Sequence, residues 1–241
     1  MHLLVLQHAD VEHPGIFRRF LQEDGHSWDA VELDAGEPLP DIDKYDGLWV
    51  MGGPMDVWQE DEFPWLIAEK VFIRNAVEGA GLPFLGLCLG HQLLAEALGG
   101  SVGRSEKPEV GVLPVQLTEV GASGVFLDGL PEIFPALQWH GAEVKTMPIG
   151  AECLATSPDC PVQVMRWGTR AHSCQFHIEI EPDTVNTWSK IPEYAAALST
   201  AIGDGAVAKL DSDCSDNMRE FNIMAERIYL NWLQTAAQAG P

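Results

Sequence analysis

"LPFLGLCLGHQLLAEALGG", residues 82–100, passes from a strand-length apolar run, through a cysteine set between two glycines, into a helix-like pattern. A G-x-C-x-G segment that follows a strand and opens a helix is the cysteine version of the nucleophile elbow. Glycines beside Cys88 admit close backbone packing, and the tight turn presents the sulfur at the edge of a sheet. N–H groups at the start of the helix favour a thiolate there. A small buried cysteine beside helix-packing glycines would use the same residues, because free cysteine is among the most buried residue types.

On the amino-terminal side, residues 2–8, 28–34, 46–53 and 82–88 are short apolar segments bounded by Pro, Gly or Asp and read as strands. Residues 14–25 and 63–81 lie between them and read as helices, the first with Pro14 at a first-turn position. Strand–helix alternation predicts an α/β fold whose central, mostly parallel sheet is flanked by helices, with its site at the carboxyl ends of the strands. Further on, segments 110–118, 135–147, 151–157, 161–168 and 171–179 predict a smaller antiparallel sheet. From about residue 182 the pattern is helical, and Phe221, Met224, Ala225, Ile228 and Trp232 form a core-facing stripe. The whole chain, 1–241, reads as one domain with a helical carboxyl-terminal extension.

Thirty-six acidic side chains against 14 basic ones give a formal charge of −22, which repels phosphate backbones and anionic lipid. Neither nucleic acid nor a membrane is an expected partner. Apolar runs are shorter than the roughly 20 residues of a membrane helix, and the first residues lack a basic leader. Five irregularly spaced cysteines read as thiols of a cytoplasmic protein. His172, Cys174 and His177 cluster in "HSCQFH", but strand alternation sends His177 to the opposite face from the other two. No metal is expected. Neither a P-loop nor a G-x-G-x-x-G occurs, and no cofactor is expected.

A nucleophilic cysteine needs a base and a group that orients the base. "CQFHIE" supplies both in His177 and Glu179, two apart and so on one side of a strand. Attack on an amide also creates an oxyanion. "MGGPM", residues 51–55, is a strand-end loop whose backbone can donate to it, and Gly53 N–H with Leu89 N–H forms the expected hole. Taken singly, a Gly-Gly-Pro loop is more often only a turn and an H-x-E only strand decoration. Their coincidence with the elbow at strand ends predicts a catalytic site.

"MGGPMDV", "GLCLGHQLLAEALGG", "LQWHG" and "QFHIE", in this order, resemble the class I (triad-type) glutamine amidotransferases, in particular stand-alone proteins similar to the glutaminase domain of GMP synthetase. The resemblance implies a flavodoxin-like fold. It implies Cys88 as nucleophile, His177 as acid/base and Glu179 as orienting carboxylate. It further implies that Gly52, Gln92, Trp139, His140 and Gly141 bind substrate, with a core-strand role for Trp139 as the alternative. Two residues depart from the family: Ile178 stands in place of the usual Pro, gaining a backbone donor, and Ala142 in place of the usual Asp.

The expected activity is cleavage of the γ-glutamyl amide bond of glutamine or a γ-glutamylated amine through a thioester on Cys88. A glutaminase subunit serving a separate synthase partner and a catalytically silent regulatory module are the alternatives. No ATP-pyrophosphatase signature accompanies the motifs, so a complete GMP synthetase is not expected. A cysteine-elbow hydrolase of the α/β-hydrolase type fits less well, because there the acid precedes the histidine at a distance.

Overall fold

The computed structural model describes residues 1–238. Its first half alternates as the apolar pattern requires: β1 (His2–Gln7), α1 (Phe17–Glu23), β2 (Ser27–Glu32), β3 (Gly47–Val50), α2 (Trp65–Arg74), β4 (Phe84–Leu87) and α3 (Leu89–Ala97). Then come β5 (Ser101–Leu117), α4 (Glu119–Ser123), β6 (Ile133–Thr146), β7 (Ala151–Thr156), β8 (Val164–Trp167) and β9 (Ala171–Cys174). The chain continues through α5 (Thr184–Trp188), α6 (Pro192–Ile202) and α7 (Ala206–Ala236).

The nine strands form one sheet in the order β2-β1-β3-β4-β9-β8-β7-β5-β6. Strands from β2 to β9 in that order pair in parallel. From β9 onward every pairing is antiparallel. The expected antiparallel strands therefore continue the edge of the parallel sheet, joined to it through β9 and β8.

Alternation along each strand divides the core in two. Leu3, Val5, Trp49 and Leu85 face one side, where Phe17, Phe20, Phe221 and Trp232 of α1 and α7 cover them. Leu4, Leu6, Leu48, Val50 and Phe84 face the other side, under Leu66, Ile73, Leu93 and Leu94 of α2 and α3. Burial on both faces is what makes the parallel strands nearly continuous apolar runs. The predicted stripe of α7 is fully inside, and Trp232 also donates its indole N–H to Phe84 O at 3.0 Å.

Three boundaries differ from expectation. Helix α2 passes into a π turn over Asn75–Gly79, within the predicted segment 63–81. Strand β5 begins at Ser101 instead of 110; its ladder with β6 slips between Arg104 and Glu109, and Pro108, which has no N–H to donate, lies in that break. Strand β9 stops at Cys174 instead of 179, because the chain changes partners. Gln175 N–H still meets Gln163 O at 2.8 Å, next in register to Val164↔Cys174, and His177 then exchanges two backbone bonds with Leu137 of β6 at 2.9 and 3.1 Å.

The junction of β3, β4 and α3, where the elbow forms, is packed backbone against backbone. A Cβ on Gly90 would lie 2.0 Å from Val50 O, and one on Gly86 2.6 Å from Gly90 O. Gly90→Ala is expected to destabilise the fold by about 3 kcal/mol or more, because backbone meets backbone and no side chain can yield. Urea unfolding of the two proteins measures this; an unchanged midpoint would refute the packing argument.

Candidate active site

Cys88 sits at the end of β4 with φ 50° and ψ −101°, and it is the one non-glycine residue of positive φ among the described residues. Such a conformation costs about 1–3 kcal/mol and persists only where the surroundings impose it. Here Cys88 N–H donates to Cys174 O at 2.8 Å and Gly90 N–H to Met51 O at 3.1 Å, so β9 and the end of β3 hold both sides of the turn. The elbow read from the sequence is present.

His177 and Glu179, 89 and 91 residues later, arrive beside it. His177 Nδ1 is 2.6 Å from Glu179 Oε1, with both side chains buried. The second carboxylate oxygen accepts the Ile178 N–H at 3.0 Å. That bond is unavailable to a proline, so the donor gained at this position is used to hold Glu179. Burial works to lower the His177 pKa, but Glu179 and then Cys88 outweigh it and hold the imidazole well above its ordinary value. Trp188 packs edge-on against the imidazole, ring centres 4.8 Å apart, and is itself anchored by Val11 O at 3.0 Å.

Gly53 fits against Leu89: a Cβ there would lie 2.8 Å from Leu89 Cδ2, His8 Cβ and Met55 Sδ. Leu89 opens α3, so its N–H is among the helix's free donors. The Gly52–Gly53 loop is fixed from behind. His8 Nδ1 bonds Gly52 O at 2.8 Å and Nε2 bonds Glu69 Oε1 at 2.9 Å, with both side chains fully inside. Two acceptors require two N–H donors, hence an imidazolium. Burial opposes that charge, yet Glu69 and the Gly52 carbonyl prevail and raise the His8 pKa.

A cavity of about 700 Å³ opens over Cys88 and is lined by Gly53, Leu89, Gln92, Trp139, His140 and Gly141, among others. Gly52, His177 and Glu179 lie outside that lining. Gln92 Nε2 bonds Gln175 Oε1 at 3.1 Å and Ala142 O at 3.3 Å. Ala142 O also meets His140 Nδ1 at 3.0 Å, so this residue orders two cavity side chains through its backbone. Trp139 both lines the cavity and packs as core, its indole N–H donating to Tyr194 O at 3.2 Å.

His172, Cys174 and His177 do not converge: His172 stacks on Phe126 at 4.3 Å, while Cys174 is buried in the core. A different cluster forms instead, with Glu109, His140 and Cys160 offering ligand atoms within 4.8 Å of one another. Its carboxylate is already engaged by Ser157 at 2.7 Å, Gln163 at 2.7 Å and His140 at 3.1 Å. Burial pushes the Cys160 thiol up to about 12, and its sulfur contacts Val162 O at 3.6 Å. A second Cys-His-Glu set thus exists, but its sulfur is a thiol far from ionisation.

Several site neighbours were not singled out in the sequence. Gln175 Nε2 reaches Cys88 Sγ at 3.6 Å, and Glu12, Tyr194, Trp188, His8 and Glu69 surround the imidazole and the glycine loop. They come from distant segments and share no motif. Only its place in "QFHIE", beside the H-x-E and just past the end of β9, could have hinted at Gln175.

The sequence matches the family described as glutamine amidotransferase class-I over residues 17–187. It is 31% identical over 189 residues to the glutamine amidotransferase-like protein YfeJ of Salmonella typhimurium, covering 77% of each chain. It is 38% identical over 154 residues to the glutamine-hydrolyzing GMP synthase of Aeropyrum pernix, covering 63% of this chain and 27% of that one. The match thus spans about a quarter of that synthase. A glutamine amidotransferase structure from Thermotoga maritima superposes with a TM-score of 0.85 at 26% identity, covering 99% of both chains.

The His8–Glu69 pair yields a pH prediction. A histidine raised by its partner stabilises the fold fully below its unfolded value of about 6.5, and the contribution is lost as pH rises through the folded value. Glu69→Gln is therefore expected to lower the melting temperature most in mildly acid solution, with the gap to wild type closing towards alkaline pH. A gap independent of pH would count against the imidazolium.

Proposed function

The chain belongs to the glutamine amidotransferase class-I family, and on that premise we propose that it hydrolyses γ-glutamyl amide bonds with Cys88, His177 and Glu179 as its reacting set. The observation that carries this reading is the convergence on a strained Cys88 of an imidazole already paired with a buried carboxylate.

The steps follow from that geometry. Cys88 gives its proton to His177, and the thiolate attacks the γ-carbonyl carbon, with the oxyanion received by Gly53 and Leu89 N–H. The C–N bond breaks as His177 returns the proton to the leaving nitrogen, and ammonia or an amine departs from a γ-glutamyl thioester. A water molecule, deprotonated by His177, attacks the thioester, releasing glutamate and restoring the thiol. Glu179 keeps the imidazole in one tautomer and stabilises its cation throughout. Gln92, His140, Gly141 and Trp139 bind the glutamyl portion, and Gly52 shapes the loop beside it.

A second reading, ammonia supply to a separate synthase, draws on the similarity to a glutamine-hydrolyzing synthase about four times longer than the matched segment. Among the described residues no helix is long and apolar enough to cross a membrane. The five free cysteines fit a reducing, cytoplasmic setting.

Release of ammonia and amines by the purified chain from glutamine and a panel of γ-glutamyl amides tests the reading. Turnover of at least one amide is expected, with Cys88→Ala lowering it by about 1,000-fold or more. Full turnover by Cys88→Ala would remove the assignment. Glutamine turnover seen only after adding a synthase would favour the second reading.

A further inference from the structure

Glu12, in the loop between β1 and α1, is only 2% exposed. It accepts a hydrogen bond from the Tyr194 hydroxyl of α6, and its own N–H donates to Ala9 O at 2.8 Å. A Cβ placed on Gly52 would lie 2.5 Å from Glu12 Oε2 and 3.4 Å from His177 Cε1. Carboxyl and imidazole therefore border one small space, which a side chain at position 52 would fill. Glu179 meets the same ring at Nδ1, so His177 is flanked by two carboxyl groups from unrelated segments.

We propose that Glu12 is a positioning residue of the catalytic centre, a second carboxyl that stabilises the His177 imidazolium from its Cε1 edge and, through it, the Cys88 thiolate. This rests on the reading of Cys88, His177 and Glu179 as the reacting set.

The surroundings set its charge. Burial raises the Glu12 pKa above that of an ordinary carboxyl and Glu179 pushes the same way, while His177, the Tyr194 hydroxyl and His8 pull it down. Burial and Glu12 itself keep the Tyr194 phenol protonated, and Cys88 and Glu193 act on it in the same direction. Tyr194 is thus a standing donor to Glu12. A raised carboxyl loses its charge earlier on acidification than an ordinary one, so support for the imidazolium fades as pH falls through the raised value. A mere strut for α6 would need only the hydrogen bond. A carboxylate beside the imidazole also changes when the cysteine ionises.

The alkylation rate of Cys88 by iodoacetamide, followed against pH with the modified peptide identified by mass spectrometry, separates these roles. Glu12→Gln keeps the shape and the acceptor for Tyr194 but cannot ionise. It is expected to move the midpoint of the alkylation profile upward by about one pH unit. Tyr194→Phe removes the donor that lowers the Glu12 pKa, and it is expected to shift the acid limb upward by a smaller amount; it decides the matter should Glu12→Gln not fold. A folded Glu12→Gln protein with the wild-type profile, or a Tyr194→Phe protein with an unmoved acid limb, would overturn the proposal. Alkylation confined to cysteines other than Cys88 would instead overturn the reading it rests on.

Discussion

The site depends on one backbone contact, the close approach of α3 to the end of β3. Gly90 lies against Val50 O with no room for a Cβ, and Gly86 lies against Gly90 O in the same way. That packing forces the chain to reverse direction within one residue, and the residue taking the unfavourable φ is Cys88. The strain of about 1–3 kcal/mol is carried by the two cores on either side of the sheet. A relaxed Cys88 would lose both its bond to Cys174 O and its place at the mouth of the cavity.

Around the sulfur, buried histidines are each set against carboxyl groups. His177 faces Glu179 and Glu12, His8 faces Glu69, and His140 faces Glu109. Isolated buried ions would be costly, and each pairing offsets the cost by fixing geometry. His8 and Glu69 fix the Gly52–Gly53 loop. His140 and Glu109, with Gln138, Gln163 and Ser157, fix one wall of the cavity. A molecule with a strongly acidic surface therefore keeps its histidine–carboxylate pairs inside, where the screening that weakens surface ion pairs does not reach.

The strain at Cys88 and the bond from Ile178 N–H to Glu179 show two ways in which a local departure is absorbed. The first is a conformation that glycine neighbours make possible. The second is a backbone hydrogen bond at 3.0 Å that a proline at 178 could not make, so Glu179 is held at both oxygens, by His177 and by its own chain. The first constraint is imposed from distant strands, through Cys174 O and Met51 O, and the second by the neighbouring residue.

The sequence by itself determined the alternation that builds the parallel sheet, the elbow at Cys88, the H-x-E pair and the buried stripe of α7. Each of these is a pattern over a short window, written in apolar period or glycine placement. The end of β9 was not legible, because it is set by an exchange of partners: after Gln175 has met Gln163, His177 pairs with Leu137 of β6 in place of extending the β8 ladder. Nor was the company around the imidazole. Glu12, Tyr194, Trp188 and Gln175 come from four segments whose local patterns say only loop, helix or strand end. What brings them to His177 is the meeting of the loop after β1, helices α5 and α6 and the segment after β9 around Cys88, and such long-range packing leaves no period in the chain.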